Sequence, residues 1–324
     1  MDQCKIIDYD ENWREKLFNY MKYTFPNYTE AYINYCLDCS TDRIPSKMVV
    51  NQEGEIVGCH LYFCTKALVN GKEIDTQWGH DTYLNEAYRK EMGLDLMLLT
   101  QSIKGFGLGI TEINEKIQKK LKNVFFDGVF NYYLINWWVL ISPFQKYFSS
   151  FHKIDARESI CVEGIQFKLV KNIEEISIPN NGYWMNGHRD IEFIRDGEFL
   201  SKRFILNKVK SYYVYTLETP NDKCYFVVRL TYYRGMPTLT LCDYRYYNDN
   251  EKMLSLIIKA VKKIATKSHL GIIVFLCGDI NMKKALEGSL YHKTPVAFLT
   301  NRKDRADMSY IITGGDSDAD FYKY

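Results

Sequence analysis

What most constrains the fold of this chain is an order of elements, hairpin, strand, helix, strand, helix, strand, that occurs in it twice. In the first half, Lys47 to Asn51 and Ile56 to Phe63 are β-favouring runs separated by the turn residues Glu53-Gly54, the pattern of a β-hairpin. A short strand at Lys5 to Ile7 and a helix precede it; Asp10 can cap that helix, Trp13, Leu17 and Met21 share one face, and Pro26 stops it. After the hairpin come a strand near Thr76 to Leu84, a helix carrying Leu94, Met97, Leu98 and Gln101, and the strand Phe106 to Ile110. A helix from about Asn114 to Lys122 and a strand around Phe125 to Ile135 complete the half. Strands that alternate with helices need crossover connections, so part of the sheet is expected to be parallel.

The second half repeats this order. Asn221-Asp222 turns the chain between Tyr212 to Leu217 and Cys224 to Tyr232, Arg234-Gly235 turns it again, and Thr238 to Tyr244 follows as a third strand. Asn248 or Asp249 is expected to cap a helix whose residues Leu254, Ile257, Ile258, Val261, Ile264 and Ala265 repeat at the spacing of one buried face. Gly271 then opens the wholly apolar strand Ile272 to Leu276, and a short helix from about Asn281 to Leu286 lies beyond it. The 324 residues are too many for one ordinary domain, and the repetition places a boundary near residues 150 to 165. The expected architecture is α/β, a mixed sheet with flanking helices in each of two domains, residues 1–155 and 156–324.

Composition narrows the function classes. Apolar residues are 46% and charged residues 25%, ordinary for a chain that buries a core. With 42 basic and 40 acidic residues the net charge is +2, which supplies no broad basic field for a phosphate backbone, so no nucleic-acid partner is expected. No run reaches the roughly 18 apolar residues of a membrane span. Met1-Asp2-Gln3-Cys4-Lys5 does not begin as a leader does, so the expected location is the cytoplasm. Nine scattered cysteines, an odd number, point to reduced thiols. Cys36-Leu37-Asp38-Cys39 with Cys59 and Cys64 supplies four thiols that can in principle surround zinc. Against that, Cys59 sits in an apolar run where a free cysteine is commonly a small buried hydrophobe, and no metal is expected.

The stretch Leu84-Asn85-Glu86-Ala87-Tyr88-Arg89-Lys90-Glu91-Met92-Gly93-Leu94-Asp95 resembles the glycine-loop motif of the GNAT acyltransferases. In that family a strand ends in Arg/Gln-x-x-Gly-x-Gly/Ala and feeds into a helix whose N–H groups hold the pyrophosphate of an acyl-coenzyme A. A helix start presents unpaired donors and the positive end of the dipole, which suits that role. The resemblance implies that acetyl-CoA or another acyl-CoA binds along Tyr83, Leu84, Arg89, Lys90, Gly93, Leu94 and Asp95, with Asn114 opening the next helix. Two positions depart from the pattern: Asp95 stands where the family has Gly or Ala, and Leu121 where a tyrosine often protonates the leaving thiolate.

Acyl transfer to an amine needs a base for the ammonium proton, and His80-Asp81, on the strand that runs into this motif, offers an imidazole, a side chain suited to taking it directly or through a water. A lone histidine is more often structural. Gly79 beside it either admits a substrate to the backbone or marks a bulge.

In the second half, Asp190-Ile191-Glu192-Phe193, Lys202-Arg203-Phe204 and Gly314-Gly315-Asp316-Ser317-Asp318-Ala319-Asp320 resemble the C-terminal domain of tandem GNAT-like proteins found with bacterial surface-polysaccharide genes. No glycine loop follows Tyr244, so the donor is expected in the first half and the acceptor side in the second. His188, Arg189, Asp316 and Asp318 are its candidate residues, arginine for its planar donors and the aspartates for a cationic amine. A surface loop and a solvated acidic tail are the plainer interpretations.

No nucleophile elbow, Walker loop, dinucleotide fingerprint or His-Glu-x-x-His motif is present, which favours direct transfer without a covalent intermediate. The expected function is transfer of an acyl group, acetyl first, from acyl-CoA to an amino group of a small acceptor, such as an amino sugar or sugar nucleotide of surface-glycan assembly. The alternatives are a Fem-like aminoacyl-tRNA-dependent transferase and a non-catalytic binding protein on a degenerate GNAT scaffold.

Overall fold

The computed structural model describes residues 4–41, 43–102, 105–109, 112–145, 147, 152–220, 222–301 and 307–316. The chain divides into two compact units, the first made of Met1–Lys66, Ile74–Phe125 and Phe298–Arg305, the second of Ala67–Glu73, Phe126–Ala297 and Ala306–Tyr324. Both are built on mixed sheets with helices, the α/β class expected. Among the described residues no helix is long and apolar enough to cross a membrane.

In the first unit β1 (Lys5–Asp8) pairs antiparallel with β2 (Lys47–Val50), and β2 with β3 (Ile56–Val69). Between β1 and β2 run α1 (Arg14–Thr24) and α2 (Glu30–Asp38). Asp10 caps a single 3-10 turn that leads into α1, and Thr29 caps α2 by accepting the N–H of Tyr32. β3 turns into β4 (Lys72–Leu84) at Asn70-Gly71, both at positive φ, 50° and 75°. This is the turn that Asn-Gly makes most readily between antiparallel strands. The two strands are therefore 14 and 13 residues long and do not stop at Phe63 and restart at Thr76. The tip of this hairpin, residues 67–73, belongs to the second unit.

From β4 the chain enters α3 (Arg89–Ser102) and returns in β5 (Phe106–Leu108), parallel to β4 with Trp78 opposite Phe106. α4 (Glu112–Lys120) and β6 (Val124–Phe126) follow. A distant segment, β16 (Phe298–Thr300), pairs antiparallel with β5. Trp78, Phe106 and Phe298 pack ring against ring, with centroids 5.7 to 6.1 Å apart. Under α3, Val49, Val57, Leu84, Met92 and Leu96 form a second apolar cluster.

The expected strand from Phe125 to Ile135 is two strands. Gly128, at φ 101°, breaks it, and β7 (Phe130–Ile135) belongs to the second unit. There β8 (Ser159–Val162), β9 (Ile165–Leu169), β11 (Tyr213–Glu218), β12 (Lys223–Tyr233) and β13 (Met236–Tyr246) lie side by side antiparallel. β14 (Ile272–Gly278) pairs parallel with β13 and antiparallel with β7, and β15 (Tyr291–Pro295) closes on the other edge of β7. β10 (Ile191–Phe193) joins the hairpin tip to β17 (Tyr310–Thr313), which also reaches β14. Helices α5 (Ser142–Gln145) and α6 (Gly197–Leu200) are single turns, as is α8 (Met282–Ala285).

The long helix α7 (Glu251–Lys267) buries Leu254, Ile257, Ile258, Val261, Ile264 and Ala265, the face its spacing implies. Its cap is Asn250, not Asn248 or Asp249. Those two residues sit at φ 54° in a left-handed turn just before the helix, while the Asn250 side chain accepts the N–H of Lys252 at 3.0 Å.

Charge lies inside this unit. The side chains of Arg195, Asp243, Arg245 and Asp316 are wholly buried and interlocked. Arg195 bonds Asp243 at 2.7 Å and Asp316 at 2.6 Å, and Arg245 bonds the same two carboxylates at 3.1 and 3.3 Å. Burial pushes the pKa of Asp243 up, but Arg195 and Arg245 outweigh it and hold the carboxylate below its ordinary range. Two cations thus balance two anions. Removing one anion strands guanidinium charge in the interior, so Asp316→Ala is expected to destabilise the second unit by about 3–5 kcal/mol. Urea unfolding checks this, and an unchanged midpoint would show that the network contributes nothing.

Candidate functional site

Neighbouring residues on a regular strand point to opposite faces, so His80 and Asp81 on β4 would ordinarily not meet. Asp81 takes a left-handed backbone, φ 46°, and its carboxylate comes back to the His80 ring, with Nδ1 to Oδ2 at 2.9 Å. An ionised carboxylate only accepts, so Nδ1–H donates and Nε2 keeps its lone pair. That Nε2 is buried and hydrogen-bonds to no described group. Tyr28 donates its hydroxyl to the other Asp81 oxygen at 2.6 Å, and Phe63 stacks flat on the His80 ring, 3.9 Å between centroids. Cys36, from the last turns of α2, completes the cluster: its Sγ, a His80 ring nitrogen and an Asp81 oxygen all lie within 4.8 Å of one another.

His60 on β3 borders this group and bonds Thr82 through Nδ1. Burial pushes its pKa down to about 3, the neighbouring His80 adding to the shift and Asp81 opposing it. The ring is therefore neutral at physiological pH. Gly79 is explained by the same neighbour, since a Cβ there would stand 2.9 Å from His60 Nε2.

Beyond this cluster β4 runs straight into a helix start. Asn85 occupies the capping position of the turn Glu86–Tyr88, but its side-chain oxygen accepts the Tyr20 hydroxyl at 2.9 Å and caps nothing. The first N–H groups of this helix start are left without a side-chain cap, which suits an anion. Arg89 and Lys90 are exposed beside them; Arg89 Nε donates to the carbonyl of Leu84, and its guanidinium lies over the Tyr83 ring at 5.8 Å. Gly93 is inside α3 and not in a loop ahead of it, with open space where a Cβ would stand. Leu94 and Asp95 are exposed on the same helix. Asp95 comes six residues after Arg89, about 9 Å along the axis, so its charge is not beside a phosphate held at the helix start. Asn114 lies in α4, and its side chain is outside the described residues.

Among the described residues, the second unit offers no matching start. α7 follows β13 as α3 follows β4, but Asn250 caps it, and Glu251 puts a negative charge in its first turn. The described acceptor-side candidates, His188, Arg189 and Asp316, are not brought together. Arg189 is buried and holds Asp249 in a two-bond fork at 2.5 and 2.6 Å, and Asp316 belongs to the interior ion network. His188 is exposed in a turn, and Asp318 lies outside the described residues. Arg189 and Asp316 thus hold the unit's own core, a role that a sequence cannot separate from ligand binding.

Of the four clustered thiols, Cys64 donates to the carbonyl of Ile44 and Cys59 to that of Asp81, and the four do not converge. Sequence reasoning missed Tyr28, Cys36 and His60 as partners of the dyad. The one available signal was helical: Tyr32, Ile33, Cys36 and Leu37 are the buried face of α2, just after the capping Thr29.

The depressed pKa of His60 makes a pH prediction. Unfolded, the ring takes a proton as pH falls through about 6.5. Folded, it resists until about 3. Stability contributed by the neutral ring is therefore complete above pH 6.5 and falls below it, by at most about 1.4 kcal/mol per pH unit. His60→Gln is expected to flatten urea-unfolding stability between pH 6.5 and 4 relative to the parent; identical pH slopes would contradict it.

No known family profile and no curated protein matches the sequence. Solved structures do match in shape. A GCN5-related N-acetyltransferase from Kribbella flavida superposes with TM-score 0.57 at 9% identity, over 91% of this chain and 71% of that one. An Enterococcus faecalis V583 protein described as a probable N-acyltransferase gives 0.56 at 10% identity, over 92% and 72%. Saccharomyces cerevisiae N-myristoyltransferase with bound myristoyl-CoA gives 0.55 at 12% identity, over 92% and 78%. Identities this low establish the fold alone: the chain shares the fold of these solved structures over about nine-tenths of its length.

Proposed function

We propose that this protein transfers an acyl group from acyl-CoA to an amine, with donor binding and proton transfer both in the first unit. One observation carries the proposal: a buried Asp81–His80 pair with a free Nε2 stands on the same strand that leads, within five residues, into an uncapped helix start flanked by Arg89 and Lys90. The shape shared with N-acyltransferases, one of them holding myristoyl-CoA, supports it.

In this reading the N–H groups of Glu86 and Ala87 and the two basic side chains hold the pyrophosphate. His80 Nε2 takes the ammonium proton of the acceptor, directly or through one water, and the imidazolium so formed sits against Asp81. The amine nitrogen then attacks the thioester carbon, the C–S bond breaks, CoA leaves as thiolate, and the nitrogen gives its second proton to solvent as the amide forms. No tyrosine protonates it from the position of Leu121, and Tyr132 is occupied in packing against Phe275, so solvent supplies that proton. The acceptor is an amino sugar or its nucleotide, a choice that rests on the resemblance of the second half; acetyl-CoA is the first donor to try.

Calorimetry with acetyl-, butyryl- and myristoyl-CoA tests donor binding. Arg89→Glu with Lys90→Glu is expected to weaken it about ten-fold by adding negative charge at the helix start, without shifting thermal unfolding. No binding of any of the three at millimolar concentration would remove the proposal. His80→Gln is expected to lower kcat about a hundred-fold or more while CoA affinity stays unchanged. Full turnover in that variant would make His80 a packing residue.

A further inference from the structure

We propose that Cys36, His80 and Asp81 form a zinc-binding site in the first unit, one that competes with the base role of His80. Three donor atoms of three kinds, a thiol sulfur, an imidazole nitrogen and a carboxylate oxygen, lie within 4.8 Å of one another, and no other such group occurs among the described residues. Zinc holds sulfur at about 2.3 Å and nitrogen or oxygen at about 2.0–2.2 Å, so donors around one tetrahedral ion stand roughly 3.3–3.7 Å apart. Side-chain rotation closes the remaining difference. The set also chooses the metal: thiolate disfavours calcium and magnesium, and a sulfur, nitrogen and oxygen mixture suits zinc.

The surroundings suit an ion on the edge of the ring that faces Asp81, at Nδ1. His80 is only 7% exposed. A second layer already fixes the ligands: Tyr28 donates to Asp81 Oδ1 and Phe63 covers the imidazole face, as outer-sphere groups do at metal centres. Cys36 itself has 0% exposure, and the strand kink at Asp81 brings its carboxylate to the ring. Three protein ligands leave a fourth position for water. Binding removes the thiol proton and takes Nδ1, which moves the ring proton to Nε2, so the ion and the acceptor's proton cannot share the imidazole. Only this inhibitory consequence rests on the acyltransferase reading; zinc binding does not.

The test starts from protein stripped with a chelator and titrated with Co²⁺ as a spectroscopic substitute. The expected result is a thiolate-to-cobalt absorption band that saturates at one equivalent and is displaced by one equivalent of Zn²⁺. X-ray absorption of the zinc form should show one sulfur ligand with nitrogen or oxygen for the rest. Cys36→Ala and His80→Gln are each expected to abolish the band at equimolar metal, Tyr28→Phe to weaken binding about ten-fold, and Cys64→Ala to leave it intact. Cys36→Ser, closer in size, takes the place of Cys36→Ala if the latter unfolds. Absence of the band in folded protein, its survival in the Cys36 variant, or two or more sulfur ligands would overturn the proposal. Where transfer activity is found, equimolar Zn²⁺ should suppress it in the parent and spare Cys36→Ala; where none is found, the spectra decide alone.

Discussion

The left-handed backbone at Asp81 is the constraint on which the first unit's chemistry depends. A non-glycine residue in that region costs of order 1–3 kcal/mol and persists only where its surroundings determine it. Here the hydroxyl of Tyr28 and the ring of His80 each bond one oxygen of the carboxylate that the kink delivers. In a regular strand the carboxylate would face away from the imidazole, and nothing would fix which nitrogen carries the proton. The adjoining strand adapts as well. A Cβ on Gly58 of β3 would stand 3.0 Å from the Tyr83 carbonyl, and one on Gly79 would meet His60, so two glycines make room for the distorted stretch.

The two helix starts show how one asparagine position is used in opposite ways. At α7 the side chain of Asn250 bonds the helix N–H of Lys252 and closes the end. Before α3, Tyr20 takes the side chain of Asn85 and holds it off the helix. Forgoing a side-chain cap costs about 1 kcal/mol, which an anion bound there returns.

Much of this was legible in the sequence, and the failures have physical causes. The alternation of strands and helices and the buried face of α7 came from periodicity, and His80-Asp81 could be named because the two are adjacent. Their contact could not, because it depends on a backbone angle at Asp81. Tyr28, from the loop between α1 and α2, and Cys36, from α2, reach the dyad from about 50 residues earlier, and no local pattern announces such a contact. The turn at Asn70-Gly71 and the start of the strand after it were missed, because Lys72, Glu73 and Asp75 make that start polar and the strand was expected only from Thr76. The burial of Asp316 was hidden more deeply. A terminal acidic run looks solvated until its partners, Arg195 and Arg245, 121 and 71 residues away in sequence, are seen to surround it.

The two buried carboxylate clusters differ in what their partners can do. Asp243 and Asp316 each meet two guanidiniums, whose charge is permanent across the accessible pH range. That network has one state, and its service is to hold β13, β17 and the residues after β17 in register. Asp81 meets a phenol and an imidazole, groups that can gain or lose a proton or, for the imidazole, accept a metal ion. A carboxylate beside an imidazole favours any positive charge that arrives on the ring, whether as a proton taken from an amine or as a bound cation. Variable charge beside a fixed anion is what a site of chemistry requires, and in the described structure that pairing sits on β4, just ahead of the open helix start.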